Sequence, residues 1–353
     1  MKGMNIMKLK YVKVILFTHD DLDGGGCRVI FSLAHSHLDN SEWIIINCSN
    51  NSVNDDVKKA IEEGIIGEDT IVCFADICAS KEVIQMLVQK CGSDKIFVWD
   101  HHLTNLFITQ EIPNAVVIAE NELGVKESGT SLLYKHFSEL AYNDESDPRG
   151  KFFRNEGNQK LLSLFVDTVR SYDTYEWKQT NNIDAIKLNK FFWFIGMDLF
   201  CNRYIDALKK NDNTEDIILA DGDLKYVINS KIELEKKIID SITPADVFTF
   251  NVRGYKVAFS FPIFGASASE LGNQFLTRYA PEYDIFVSMS ITNDRGTFQF
   301  RTIRPDLNLG KDIAIPIGGG GHPKAAGAPV PEFIVTEIID MVINHLNSDS
   351  YIE

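Results

Sequence analysis

Cysteine, long apolar runs and positive charge are all scarce in this sequence. Its six cysteines form no CxxC pair and no zinc-finger spacing, which predicts neither a disulfide scaffold nor a structural zinc module and fits a reducing, cytoplasmic setting. The apolar run at 14–17 is too short for a secretion signal, and residues 191–200 fall well short of the roughly 18 that a membrane crossing needs. We therefore expect neither export nor a membrane anchor.

The deficit of positive charge restricts the kind of partner. The chain has 35 lysines and arginines against 50 aspartates and glutamates, a formal net charge of −15. Such a surface argues against holding a long nucleic-acid duplex through many phosphate contacts. It still permits a small phosphorylated ligand in a local pocket, because bound cations can dominate the electric field of a site.

The length and the order of the patterns predict two α/β domains. A chain of 353 residues is long for a single core. Strands and helices alternate within 1–220, which predicts a domain built on a parallel sheet. A charged helical pattern at 221–245, ended by a Thr-Pro pair, predicts a helical linker. Short strands in 246–353 predict a smaller mixed α/β domain.

An apolar strand predicted at 96–99 ends abruptly in an acid and two imidazoles, Asp100, His101 and His102. Alone, this triplet could equally be a capped turn. In an open parallel sheet, however, ligands bind at the carboxyl edge, and two other predicted strands also end in metal-binding side chains. We therefore expect a functional site at this edge of the sheet.

The first strand, predicted at 11–17, leads into a loop with three candidate ligands, namely His19, Asp21 and Asp23. If this loop stays extended until a helix begins near Cys27, the three side chains point the same way and suit Mn²⁺ or Mg²⁺. The alternative is a glycine-rich phosphate loop, although the acids would repel a phosphate unless a metal were present. The third strand, at 71–75, ends on Asp76, which alone could be a helix cap.

Later in the first domain, Ser128 or Thr130 can cap a helix whose first amides could alternatively face a phosphate. A helical pattern at 161–170 then leads into Asp173. Both Asp167 and Asp173 are candidate ligands, and we favour Asp173 because it ends the helix beside two tyrosines. The aromatic-rich helix predicted at 183–210 is interpreted as core or as a homodimer face.

The second domain contains four consecutive glycines, 318–321, followed by His322 and Lys324. Without Cβ atoms a ligand can approach the backbone amides, and Arg301 and Arg304 could add bidentate contacts to a phosphate. A glycine run can also be a flexible loop. The unusual composition just after the glycines favours anion binding.

Together these segments resemble the DHH phosphoesterase superfamily, whose motifs occur here in the expected order along nearly the whole chain. The four motifs of the catalytic domain correspond to residues 19–24, Asp76, residues 100–102 and Asp173. Residues 318–322 and 325–327 resemble the signature of the first type of DHH-associated C-terminal domain. Segments 169–174, 269–273 and 301–303 are most similar to the oligoribonuclease, or nanoRNase, branch, whose cytoplasmic enzymes degrade very short RNA.

The resemblance implies a site with two Mn²⁺ ions, with Mg²⁺ as an alternative. The implied metal ligands are His19, Asp21, Asp23, Asp76, His101 and Asp173, and the implied catalytic residues are Asp100, His101 and His102. In this scheme Asp76 bridges the ions, Asp100 orients His101, and His102 contacts the phosphate or donates a proton. The implied substrate-binding residues, which would hold a terminal phosphate or nucleotide, are Arg301, Gly319, Gly320, Gly321 and His322.

One position departs from the pattern of many superfamily members. They carry acids four and six residues after the first histidine, where this chain has Asp23 and Gly25, so Asp21 would supply the missing carboxylate. The implied activity is hydrolysis of short single-stranded RNA or DNA to mononucleotides. Alternatives are a cyclic-dinucleotide phosphodiesterase, a nucleoside 3′,5′-bisphosphate phosphatase, or a non-enzymatic scaffold that binds nucleic acid or protein.

Overall fold

The computed structural model describes residues 13–210, 216–292, 295–334 and 337. The chain divides into two compact units between Asn229 and Ser230, within a 20-residue helix. The first unit has a parallel sheet and the second a mixed sheet, which confirms the predicted fold class. The finer boundaries at 220 and 245 stay a prediction, and the first two residues of the strand predicted at 11–17 lie outside the described residues.

The first unit alternates strands and helices before it becomes helical. In chain order its elements are β1 (Val14–His19), α1 (Leu22–Ala34), β2 (Trp43–Cys48), α2 (Val53–Glu62), β3 (Ile71–Ala75), α3 (Lys81–Cys91), β4 (Ile96–Asp100), α4 (Ile108–Glu111), β5 (Asn114–Val117), α5 (Gly129–Asn143), α6 (Glu156–Asp173), α7 (Glu176–Thr180), α8 (Ile183–Ile195), α9 (Met197–Lys209) and α10 (Gly222–Ser241), the last of which continues into the second unit. β3 coincides with the strand predicted at 71–75, and β4 extends the strand predicted at 96–99 by one residue, because continuous apolar runs mark strands buried on both faces.

The first sheet has the strand order β2-β1-β3-β4-β5, and all of its pairings are parallel. The connection after β1 runs to β2 on one side, and the connection after β3 runs to β4 on the other side. This reversal creates a topological switch point between β1 and β3. Ligands of doubly wound sheets bind at the carboxyl ends of the strands beside such a point. The sheet is held by a core in which Ile15, Phe17 and Phe74 are fully buried.

The start of α1 differs from the prediction. We expected an extended loop up to Cys27, but the helix already begins at Leu22 and includes all three glycines. The glycines serve close packing, because a Cβ atom on Gly26 would lie 2.2 Å from Thr130 Oγ1. Asp21 and Asp23 therefore do not alternate along an extended strand: Asp21 caps the helix and Asp23 lies in its first turn.

The aromatic segment predicted as one helix is two helices, α8 and α9, which meet at Gly196, where φ is 81°. Phe191 and Phe192 are buried, whereas Trp193 is 62% exposed. The segment is thus partly core and partly surface, and its use as a homodimer face stays a prediction.

Among its described residues, the second unit has a six-stranded mixed sheet, the helix α11 and short helical turns. Its elements are β6 (Phe248–Val252), β7 (Tyr255–Ser260), α11 (Ala268–Arg278), β8 (Ile285–Thr292), β9 (Arg295–Arg301), β10 (Gly320–Gly321) and β11 (Ala325–Val330). The strand order is β10-β11-β9-β8-β7-β6, and only β7 and β8 pair in parallel. Arg253 and Gly254 form the turn that joins β6 to β7, and both residues have positive φ.

All six cysteines are buried and unpaired. Within the described ranges, none of the helices has the combination of length and apolar character that crossing a bilayer requires.

Candidate metal centre

The six predicted metal ligands lie together at or beside the carboxyl edge of the first sheet. His19 ends β1, Asp76 follows β3 and His101 follows β4, so three neighbouring strands each contribute one side chain. Helices contribute the rest: Asp21 and Asp23 come from the start of α1 and Asp173 from the end of α6. The site therefore occupies the switch point of the sheet, where ligand binding is expected.

The ligands form two groups, each with its nitrogen and oxygen atoms within 4.8 Å of one another. The first group is His19, Asp21 and Asp76, and the second is Asp23, His101 and Asp173. The groups touch where His101 Nε2 lies 3.2 Å from Asp76 Oδ1 and 3.3 Å from Asp173 Oδ2. Asp76 is thus the carboxylate that lies between them.

The donor set fits divalent cations. Asp76 Oδ2 and Asp173 Oδ2 are buried oxygens without a hydrogen-bond partner, and such an atom is costly unless an ion or a proton satisfies it. Burial, and then the charges of Asp23 and Asp21, raise the pKa values of both Asp76 and Asp173 well above the usual range. Crowded carboxylates with imidazole nitrogens suit a hard or borderline ion such as Mn²⁺ or Mg²⁺, which would relieve this repulsion.

His19 responds to the same negative field. Burial alone would lower its pKa, but the nearby carboxylates of Asp21 and Asp20 raise the pKa of His19 to about 9. Its Nδ1 lies 2.8 Å from Asp21 Oδ2. In return, and against the effect of burial, the imidazole holds the pKa of Asp21 well below its usual range.

Asp23 is held by the start of α5. Its two carboxylate oxygens accept hydrogen bonds from the backbone amides of Gly129 (2.6 Å) and Thr130 (3.0 Å), and Thr130 Oγ1 donates to its carbonyl. The first amides of this helix thus bind a side chain of the site, where we had considered a phosphate. The predicted cap, Ser128, is confirmed by its hydrogen bond from the amide of Ser131. Sequence reasoning missed the roles of Gly129 and Thr130, although the Ser-Gly-Thr-Ser sequence did mark a helix start.

Asp76 has an unusual backbone conformation, with φ at 61°. This left-handed region is costly for most residues that have a Cβ atom, and aspartate is among those that tolerate it best. The start of α5 packs closely against Asp76: a Cβ atom on Gly129 would lie 2.5 Å from Asp76 Cβ. From the other side, the Asp76 amide donates to the carbonyl of Trp99 (3.0 Å).

Asp100 contacts a different histidine from the one predicted. Its Oδ1 lies 2.7 Å from His102 Nδ1 and reaches His101 only through that residue's backbone amide. The reason is geometric: His101 turns inward toward Asp76 and Asp173, whereas His102 folds back over the end of β4. Asn105 donates to Asp100 Oδ2 (2.6 Å), a contact that the sequence did not suggest. Burial opposes it, but His102 keeps the pKa of Asp100 well below the usual range.

The end of α6 favours Asp173 over Asp167, as predicted. The Asp167 side chain is 72% exposed and faces Arg170, whereas Asp173 belongs to the second ligand group. Arg170 fixes this end of the helix by donating to the carbonyl of Lys126 (3.0 Å) and to Glu176 (2.6 Å).

In the second unit, the predicted anion loop is a short hairpin of β10 and β11. A Cβ atom on Gly319 would lie 2.1 Å from the carbonyl of Gly327, and the Gly319 amide donates to Ala314, so this glycine serves internal packing. Arg304 pairs with Asp284 and Asp306, and Lys324 donates to backbone carbonyls; neither side chain is directed as we had suggested.

Two of the predicted substrate-binding side chains also make contacts within the second unit. Arg301 donates to Ser269 Oγ (3.2 Å) and to the carbonyl of Phe300 (2.8 Å). The backbone amide of His322 donates to the carbonyl of Ala325 (2.7 Å). The role of these residues in binding substrate stays a prediction.

No family model matches the chain. Over 326 residues it is 26% identical to Oligoribonuclease NrnB of Bacillus subtilis (strain 168), a match that covers 90% of this chain and 73% of that protein. This similarity confirms the resemblance to the DHH phosphoesterase superfamily, and to its oligoribonuclease branch, that the motifs predicted.

Two solved structures that align with the chain are more distant. RecJ in complex with Mn²⁺ from Thermus thermophilus has 15% identity and a TM-score of 0.48, covering 94% of this chain and 51% of its own. The pGpG-specific phosphodiesterase PggH from Vibrio cholerae has 14% identity and a TM-score of 0.42, covering 96% of this chain and 100% of its own.

Proposed function

We propose that this chain, which resembles the DHH phosphoesterase superfamily, is a manganese-dependent phosphodiesterase that hydrolyses short oligonucleotides to mononucleotides. Similarity to an oligoribonuclease along 90% of the chain supports the substrate class. The acidic surface also suits short substrates, since a long duplex would require many basic contacts that a net charge of −15 does not offer.

The observation that carries the proposal is the position of Asp76 between two groups of metal-binding side chains. His19 and Asp21 would hold one ion, His101, Asp23 and Asp173 the other, and Asp76 would bridge them. Two divalent ions so placed would polarise the phosphodiester oxygens and lower the pKa of a water molecule toward neutrality. The unsatisfied oxygens of Asp76 and Asp173 support this use of the cluster.

His102 and Asp100 supply the proton chemistry of the chain itself. The Asp100 carboxylate binds His102 Nδ1, which fixes the orientation of the ring. His102 then donates a proton from Nε2 to the leaving ribose oxygen. Asp100 is a positioning residue in this scheme, and Asn105 holds it in place.

Selection of short substrates belongs to the second unit in our proposal. Arg301, His322 and the backbone of Gly319, Gly320 and Gly321 would bind a terminal phosphate or nucleotide. The setting would be cytoplasmic, in keeping with six unpaired cysteines. The exposed side of α8 and α9 would serve as a homodimer face.

The test is an incubation of the purified chain with labelled oligonucleotides, from dinucleotides to long oligomers, and with cyclic dinucleotides and nucleoside 3′,5′-bisphosphates. We expect Mn²⁺-dependent release of mononucleotides, fastest from the shortest oligomers, and no turnover after chelation. Faster hydrolysis of the cyclic or bisphosphate compounds would reassign the substrate. Inertness toward every phosphodiester in the presence of manganese would favour the scaffold and end the proposal.

A further inference from the structure

The first unit contains a cavity of about 310 Å³ at the end of the sheet opposite to the metal-binding groups. The cavity lies between the start of β1, the first half of β3, the Phe97–Trp99 part of β4, the end of α1 and the middle of α5. Its volume is within the range of small-molecule sites, about 300–1,000 Å³, and well above that of ordinary packing defects. None of the residues that we assign to the proposed hydrolysis lines it.

One wall of the cavity is aromatic. Trp99 and His136 have ring centroids 4.8 Å apart, Phe97 stacks on Trp99 at 5.8 Å, and Phe137 extends the wall beside His136 at 5.2 Å. All four rings line the cavity. Trp99 and Phe137 are buried, whereas Phe97 and His136 are partly exposed, so these two rings offer the accessible aromatic surface to a flat ligand.

The cavity also has a fixed positive charge. Arg149 lines it and acts electrostatically on His35, His136 and Cys73, three other lining residues, so its guanidinium group lies at the wall. Asp147 holds Arg149 through Nε (3.1 Å) and Nη2 (2.7 Å) without itself lining the cavity. Asp147 therefore fixes the orientation of the guanidinium group through Nε and Nη2, and Nη1 takes no part in this pair.

Two histidines that line the cavity, His35 and His136, add neutral polar groups. Burial is the main cause that lowers the pKa values of His35 and His136 to about 4, so both rings are uncharged at neutral pH. His35 Nδ1 donates to the carbonyl of Phe31 (2.9 Å), because a carbonyl only accepts, and Nε2 is then a hydrogen-bond acceptor. A ring with its own N–H or amino group could donate to such an acceptor.

We propose that this cavity binds a heteroaromatic anion, whose flat ring packs against Phe97 and His136 and whose phosphate or carboxylate group pairs with Arg149. Stacking alone would accept any apolar ring, and the pre-oriented guanidinium adds the preference for an anion. Two sources share this chemistry, a nucleoside monophosphate and an aromatic carboxylate. The proposal does not depend on the proposed hydrolysis, because the cavity and the metal-binding groups share no residue.

Calorimetric titration of the full chain in EDTA tests the proposal without metal-dependent binding at the other end of the sheet. The ligands are guanosine 5′-monophosphate, indole-3-acetate and, as the uncharged counterpart, guanosine. The variants are Arg149→Gln, which removes the charge, and Cys73→Leu, which fills the cavity from β3. Lys151→Gln is the matched control, since it removes an exposed charge from the same segment outside the cavity.

We expect at least one of the two anions to bind the unaltered chain, with guanosine much weaker than its monophosphate if the nucleotide is the ligand. Arg149→Gln should weaken binding by about tenfold or more, Lys151→Gln should leave it unchanged, and Cys73→Leu should abolish it. Should Cys73→Leu fail to fold, the two charge variants still decide. Failure of both anions to bind, equal binding of guanosine and its monophosphate, or equal weakening by the two charge variants would overturn the proposal.

Discussion

The two ends of the first sheet use the same residue type in opposite ways. At the carboxyl edge, His19 is buried among carboxylates that raise its pKa to about 9. At the other end, His35 and His136 are buried among aromatic rings and beside Arg149, and their pKa values fall to about 4. Burial disfavours the charged imidazole in all three cases, so the sign of the neighbouring charges decides whether the ring is protonated.

This difference assigns different chemistry to each end. The carboxyl edge concentrates negative charge and unsatisfied oxygens, which suits cations and the reactions they assist. The opposite end offers rings and two basic side chains, Lys13 and Arg149, which suit a flat anion. Both ends involve β4, where Trp99 lines the cavity and the next residue, Asp100, holds His102.

Asp76→Asn should have the largest effect, because it removes the carboxylate shared by the two ligand groups. We expect the rate of oligonucleotide hydrolysis with Mn²⁺ to fall by at least about a thousandfold, with loss of metal binding in a calorimetric titration. Asp69→Asn is the control, since this acid is fully exposed just before β3 and belongs to neither group. Near-normal hydrolysis by Asp76→Asn would show that hydrolysis at the carboxyl edge does not depend on a carboxylate shared by the two ligand groups.

Gly129→Ala should have the next largest effect. Its Cβ atom would lie 2.5 Å from that of Asp76, so either the helix or the acid has to move. A displacement of this kind costs roughly a hundredfold in rate, and metal affinity should fall with it. Gly222→Ala is the control, because a Cβ atom there would meet nothing within 4 Å. Similar kinetics for the two variants would contradict the enclosed position of Asp76.

Asp100→Asn should reduce kcat by about ten- to a hundredfold while it leaves the cation affinity nearly unchanged. The amide can still contact His102 Nδ1, but it removes the negative charge beside the ring and can turn its NH₂ group toward Nδ1, so it no longer fixes the ring in one orientation. Asn105→Ala removes only one of the contacts that hold Asp100 and should have a smaller effect on kcat. A larger loss of kcat for Asn105→Ala than for Asp100→Asn would refute the proposal that Asn105 acts by holding Asp100.

His35→Asn should have the smallest effect, and on stability alone. The pKa of His35 is about 4 in the folded chain and 6.5 ordinarily, so the unfolded chain binds more protons between these values. Stability is therefore present above about pH 6.5 and is lost as the pH falls toward 4, at about 1.4 kcal/mol per pKa unit and up to about 3 kcal/mol in all.

The variant should reduce this acid-dependent loss in urea unfolding measured from pH 8 to pH 4. An unaltered pH dependence in His35→Asn would mean that His35 is not the buried neutral ring that distinguishes this end of the sheet.

Much of the carboxyl edge could be predicted from sequence because strands that end in acids and imidazoles are a local signal. Residues such as Asp76 and His101 follow directly from an apolar run and its abrupt end. The glycines after Asp23 led us to predict the wrong helix start, because consecutive glycines usually indicate a turn. The structure shows a different reason for a glycine here: Thr130 of α5 packs so closely against Gly26 of α1 that a Cβ atom would not fit.

The cavity had no local signal at all. His35, Trp99, His136 and Arg149 each have an ordinary setting in the sequence, and only the fold places them around one space. The partner of Asp100 was likewise decided by the direction in which two adjacent histidines turn at the end of β4.

By itself, the sequence determined the fold class, the edge of the sheet that carries the chemistry and the residue types available there. Periodicity and strand ends are properties of neighbouring residues, so they can be read along the chain. Only the tertiary structure decided which side chains meet, which oxygens lack a partner and which imidazoles are charged. Those properties depend on distances between segments far apart in sequence, and on the burial that results when the segments pack together.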